Sequence, residues 1–123
     1  MAKWKGLPVR CVEKECHPVA MLSLCPWQAK EWSLPWSRLE AVSFCHEAEW
    51  ERIDLFFPHH HVIALGENLQ DILDEIRAFE VLCLRSLPPS HRASFEPREV
   101  FIGQLEVRQL GDAKPQPAQG ILF

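Results

Sequence analysis

The residues with the clearest potential for chemistry are three consecutive histidines, at positions 59 to 61. On an extended chain His59 and His61 project to the same side, about 6 to 7 Å apart, which suits joint ligation of a metal ion. Cys45 or His46 on the preceding apolar run supplies a third ligand if the hairpin register brings it close, and imidazole and thiolate suit zinc. Adjacent histidines after a proline are more often exposed turn residues. Zinc is therefore one candidate, and no other cofactor is expected.

Signatures of common enzymes are absent from the sequence, which contains no GxGxxG, GxxxxGK[ST], GxSxG or HExxH pattern. Glu47, Glu49, Glu51 and Asp54 gather around one predicted turn, where charge keeps a sheet edge soluble more often than it serves as an acid/base pair. The sequence thus predicts a protein without enzymatic activity. We expect an interaction or assembly module that binds a protein partner or associates with itself through an edge strand.

Composition limits the partners and the compartment. A chain of 123 residues with 47% hydrophobic residues can bury one continuous core. Its formal net charge of −4 does not provide the positive field that binds phosphate backbones, so nucleic acid is not expected as a direct ligand. No apolar run approaches the roughly 20 residues that cross a bilayer, and no signal peptide is recognisable. Five cysteines without CxxC spacing favour reduced thiols. A cytoplasmic protein without membrane contact follows.

The candidate zinc ligands lie on the part of the chain where the sequence indicates the secondary structure most clearly. Three short apolar runs, Leu39 to His46, Arg52 to Phe57 and His60 to Leu65, follow each other with tight interruptions and predict a β-meander. Residues 47–49 and the pair Pro58-His59 supply its turns. The histidine cluster is therefore expected at a hairpin turn.

The remaining pattern predicts an α+β fold. Asn68 is a favourable N-cap for a helix over about 68–78, because Leu69, Ile72, Leu73 and Ile76 recur at helical spacing. The segment from Trp27 to Trp36 is interpreted as a packed loop. Further strands are expected over 9–13, 19–24, 81–86 and 99–109. Residues 1–110 then form one domain, a mainly antiparallel sheet of about five to six strands with the helix packed on one face.

Residues 111–123 form a predicted flexible tail, rich in Pro, Gln and Gly and ending in an apolar triad. Its end, Gln119-Gly120-Ile121-Leu122-Phe123, resembles the bacterial sliding-clamp-binding peptide, although Gly120 stands where leucine is often found. The resemblance implies a replication-associated protein whose Leu122 and Phe123 fill an apolar pocket of the clamp, with Ile121 beside them and Gln119 bonded at the rim. Alternatively, the tail folds back onto its own domain or extends a sheet edge.

Overall fold

A computed structural model describes residues 10–110 of the chain. The tail and the proposed partner-binding residues at its end lie outside this range. The described part contains eight strands and one short helix. They are β1 (Val12–Lys14), β2 (Met21–Cys25), β3 (Trp32–Pro35), β4 (Ala41–His46), β5 (Glu51–Phe57), β6 (His60–Glu67), α1 (Leu73–Arg77), β7 (Val81–Arg85) and β8 (Phe101–Gln109). Short 3-10 turns occupy Trp36–Arg38, Leu69–Ile72 and Pro89–Ser94.

The strands form two four-stranded sheets, ordered β1-β7-β2-β3 and β4-β5-β6-β8. The class is α+β as predicted, but the expectation of one sheet with five to six strands is wrong. Strands of both sheets contribute to one hydrophobic cluster, in which Leu22 and Leu24 accompany Leu55 and Val62. A helix of only five residues cannot cover the apolar face of a four-stranded sheet, so a second sheet supplies the remaining apolar partners.

The predicted β-meander is confirmed. β4 pairs with β5 and β5 with β6, both antiparallel, and the closing pair Phe57↔His60 leaves Pro58 and His59 as the turn. β8 then adds to β6. At Gly66 the two strands approach closely, since a Cβ atom there would lie 1.9 Å from the carbonyl oxygen of Phe101. Only glycine fits this position.

The predicted helix is shorter than its apolar spacing indicated. Its first turn, Leu69–Ile72, is a 3-10 turn, and α1 covers only Leu73–Arg77. Asn68 does not cap it, because its backbone is left-handed (φ 62°) and its amide donates instead to the carbonyl oxygens of Pro97 and Glu99. The apolar stripe is buried nonetheless. Within residues 10–110 no helix is long and apolar enough to cross a membrane.

The sheet that contains β7 was only partly predicted. The segment from Trp27 to Trp36 was expected to be a loop, yet it contains β3, which pairs antiparallel with β2. Immediately after β3, Trp36 is 1% exposed and its indole Nε1 donates to the carbonyl oxygen of Val81, 2.9 Å away. β7 lies parallel to β2 and antiparallel to β1. The strand pairing thus joins residues that are far apart in the chain.

Candidate functional sites

The four predicted zinc ligands lie at opposite ends of the β4-β5-β6 meander. His46 faces Glu51 at the start of β5, whereas His61 faces Phe56 near its end. Five residues of extended strand separate these two levels, about 17 Å. Cys45 faces Arg52, four residues of strand from the level of His61, about 14 Å. The observed pairing of β4 with β5 therefore does not bring Cys45 or His46 close to His59 and His61.

The histidines themselves also diverge. His59 lies in the turn and not on the strand, so the expected alternation with His61 does not apply. Nε2 of His61 lies 2.7 Å from Oδ2 of Asp54, and Nδ1 of His46 lies 3.2 Å from Oε2 of Glu51. Among residues 10–110, no three His, Cys, Asp or Glu side chains are arranged to hold a metal ion. The predicted grouping of His59, His61, Cys45 and His46 is therefore not assembled.

His61 belongs instead to a polar network on the outer face of the second sheet. Asp54 is 6% exposed and accepts hydrogen bonds from Nε and Nη2 of Arg52, at 2.8 and 2.9 Å. Its hydrogen bonds with Arg52 and then with His61 lower the pKa of the Asp54 carboxyl, against the effect of burial. The ring of His61 stacks on Phe56, with centroids 4.6 Å apart. The arrangement holds a buried carboxylate in its ionised form.

This network lacks the order of a catalytic triad. Ser43 lies directly opposite Asp54 on β4, while His61 lies on β6. The carboxylate therefore stands between hydroxyl and imidazole, whereas a Ser-His-Asp relay needs the imidazole in the middle. The hydrogen bonds that the structure shows in this network join Asp54 to Arg52 and His61.

A pair of cysteines lies on the outer face of the first sheet. Sγ of Cys25 and Sγ of Cys83 are 3.7 Å apart, and Nη2 of Arg85 lies 3.6 Å from Sγ of Cys83. Burial raises the pKa of both thiols, that of Cys25 to about 12, where Cys83 and Glu31 add to the effect. Thiols in this state are poor nucleophiles.

Two cysteines that follow apolar residues in the sequence differ in their burial. Cys83 is buried, whereas Cys45 is exposed. β4 lies at the edge of its sheet, and Cys45 is on the outer face opposite Arg52. The apolar residues before Cys45 therefore do not indicate its burial.

Beside Cys25 the structure has a cavity of about 530 Å³. Its walls come from the end of β2, the end of β7 and the 3-10 turn Pro89–Ser94. The lining residues are Arg10, Cys25, Pro26, Trp27, Gln28, Arg85, Ser86, Leu87, His91, Ser94 and Phe95. The volume lies within the range of about 300 to 1,000 Å³ of small-molecule sites.

A second candidate surface is the open edge formed by β4. This strand pairs only with β5, and its residues are exposed or half-buried. Val42 and Phe44 direct their side chains towards the hydrophobic cluster. The outer side of β4 has no neighbouring strand in the described part of the chain.

Similarity to other proteins does not distinguish these surfaces. Comparisons of the chain with protein-family models, with curated proteins and with solved structures found no match. The functional conclusion therefore rests on the geometry of the cavity and of β4.

The sequence does not indicate the cavity, and it indicates the edge only in general terms. Trp27 lies in the segment predicted as a packed loop, yet it is 47% exposed beside the cavity. The sequence does indicate that β4 is an unprotected edge, because its six residues include no Lys, Arg, Asp, Glu or Pro. No signal in the sequence places Arg85 or His91 near Trp27, since these contacts span about 60 residues.

Proposed function

We propose that this protein is a non-enzymatic assembly module that pairs with a second copy of itself through β4. The observation that carries the proposal is the composition of this edge. Ala41–His46 is six residues long and contains no Lys, Arg, Asp, Glu or Pro. Natural sheets normally protect open edges with charge, proline, short length or a covering segment, because unpaired backbone groups attract another strand.

The other sheet edges have such protection. β1 has only three residues, and β3 has four and ends in Pro35. β8 carries Glu106 and Arg108, and near its start the backbone N–H of Leu87 donates to the carbonyl oxygen of Ile102. The contrast supports β4 as the edge that is used for association.

The backbone groups available on β4 follow from its pairing with β5. The backbone N–H of Glu47 donates to the carbonyl oxygen of Trp50, which continues the register His46↔Glu51. Hydrogen-bonded pairs alternate in an antiparallel ladder, so Cys45 and the residues at 43 and 41 bond to β5. The N–H and C=O groups of Val42, Phe44 and His46 therefore point to the open side.

A second copy of β4 is complementary to these groups. In a two-fold antiparallel pair centred on Phe44, each Val42 faces His46 of the other copy, and all three outward residues form hydrogen-bonded pairs. The flanking Glu40 and Glu47 then face Ala48 and Ala41, so no two carboxylates oppose each other. The sheets of two copies would join into one sheet of eight strands.

The test measures mass in solution. At about 100 μM, light scattering after size-exclusion chromatography is expected to give twice the chain mass of 14.2 kDa. His46→Pro removes an outward N–H that β5 does not use, and it is expected to raise the dimer dissociation constant at least about tenfold through two lost hydrogen bonds and the clash of the ring. His46→Ala keeps the N–H and is the matched control, expected to dimerise normally. A monomeric native chain, or an unchanged dimer of His46→Pro, would overturn the proposal.

A second candidate function rests on the tail alone. The resemblance of Gln119-Gly120-Ile121-Leu122-Phe123 to the bacterial sliding-clamp-binding peptide supports a role in replication through Leu122 and Phe123. We expect deletion of residues 121–123 from the full chain to abolish binding to a purified bacterial sliding clamp in calorimetry. Lys114→Ala, in the same tail but outside the motif, is the control and is expected to bind unchanged. Equal binding with and without residues 121–123 removes this candidate.

A further inference from the structure

We propose that the cavity beside Trp27 binds a small amphipathic organic anion, with an apolar chain or ring in the cavity and a carboxylate at its cationic side. None of the lining residues comes from β4. The proposal is therefore independent of self-association through that strand.

The charge of the cavity wall points to an anion. Its lining contains the guanidinium groups of Arg10 and Arg85, and it contains no aspartate or glutamate. This composition is unusual in a chain with a formal net charge of −4. The carboxylates that pair with the two arginines, Glu99 and Glu13, lie outside the lining. A cavity wall of this kind favours negative over positive ligands.

Arg85 is held in place and still has donors to offer. Its Nη1 donates to the carbonyl oxygen of Arg10 at 2.6 Å, and its Nη2 donates to Glu13 at 3.1 Å and lies 3.6 Å from Sγ of Cys83. These contacts use three of the five guanidinium N–H groups within the described chain. A carboxylate suits the remaining donors, because charge-assisted hydrogen bonds to guanidinium are short and strong.

The rest of the lining includes apolar side chains, and Trp27 among them is held in position. The backbone N–H of Trp27 donates to Oγ of Ser86 at 2.8 Å, and its ring meets His91 edge-on with centroids 5.7 Å apart. The next residue, Gln28, has a positive φ of 54°. Leu87 and Phe95 complete the apolar side. An indole that is 47% exposed yet fixed by these contacts is positioned to cover an apolar ligand.

The experiment compares two amphiphiles of equal chain length and opposite charge. Calorimetric titration of the full chain with decanoate and with decyltrimethylammonium, both below micelle formation, is expected to show at least tenfold tighter binding of decanoate. Equal affinities, or no binding of decanoate, would overturn the proposal.

Variants then locate the bound decanoate. Trp27→Ala is expected to weaken binding at least fivefold, whereas Trp50→Ala removes another exposed tryptophan outside the cavity and is expected to leave it unchanged. Arg10→Gln is expected to reduce the preference for decanoate over the cation, and Arg77→Gln, on α1, is the matched charge control. Thermal unfolding of each variant confirms that its fold persists. Native affinity in both Trp27→Ala and Arg10→Gln would place decanoate elsewhere and refute the site.

Discussion

Replacing Trp36 with alanine is expected to lower the free energy of unfolding by about 3 to 5 kcal/mol, the usual cost of removing a large buried aromatic side chain. Trp36 is among the largest fully buried side chains, at 1% exposure. It stacks on Phe79 with centroids 5.3 Å apart and an interplanar angle of 9°. Its removal leaves a cavity and takes away the indole donor of the Val81 carbonyl oxygen.

Urea unfolding at pH 7, followed by far-UV circular dichroism, measures this loss. Trp50→Ala is the control, because that side chain is 40% exposed, and its expected change is about 1 kcal/mol or less. Trp36→Phe separates the two contributions, since it retains aromatic packing but loses the indole hydrogen bond to Val81. We expect the free energy of unfolding of Trp36→Phe to lie between those of the native protein and Trp36→Ala. A Trp36→Ala variant as stable as Trp50→Ala would contradict the central role of this residue.

The sequence predicted those parts of the fold that depend on neighbours in the chain. β4, β5 and β6 were predictable because their apolar runs are separated by turns, and Pro58 cannot continue a central strand. β3 was missed because its four residues, with Pro35 at the end, carry a weak strand signal of their own. The strand forms through pairing with β2, from Met21↔Pro35 to Leu24↔Trp32. That pairing is a tertiary effect and overrides local preference.

The division into two sheets was not predictable for the same reason. β7 lies parallel to β2 although about 60 residues separate them, as Ser23↔Cys83 shows. Apolar periodicity states which face of a strand is buried, but not which strand lies beside it. Asn68 is a further example. Asparagine is favourable both as a helix N-cap and in a left-handed turn, so the residue type alone does not distinguish the two.

The strand register also determines which of the candidate site residues come into contact. The sequence singled out His59 and His61 as a pair, but one is a turn residue and the other a strand residue that contacts Asp54. The contact between Cys25 and Cys83 spans 58 positions and required the parallel pairing of β2 with β7. The residue types in the sequence indicated which side chains could take part in chemistry. The strand register determined which of these side chains contact each other.

The Arg52-Asp54-His61 network gives the second large effect. Asp54→Asn is expected to lower the free energy of unfolding at pH 7 by about 1 to 3 kcal/mol, because the amide removes the buried charge that two hydrogen bonds from Arg52 stabilise. Arg52 is about a third exposed, which keeps the effect below that of a fully buried pair. Glu106→Gln is the matched control, since Glu106 also pairs with an arginine two residues away but is more exposed. We expect Glu106→Gln to lower the free energy of unfolding by less than Asp54→Asn does.

The native protein and Asp54→Asn differ in their free energy of unfolding. The pH dependence of that difference distinguishes loss of charge from loss of packing. The pKa of Asp54 is lowered in the folded protein, chiefly by Arg52, so the unfolded chain binds its proton more readily. The stability from ionised Asp54 is therefore complete above the unfolded pKa of about 3.9 and is lost as the pH falls through the lower folded value. Urea unfolding at pH 7 and at pH 3 is expected to show the gap between native protein and Asp54→Asn narrowing in acid. A gap of equal size at both pH values would mean that Asp54 acts through its shape and not through its charge.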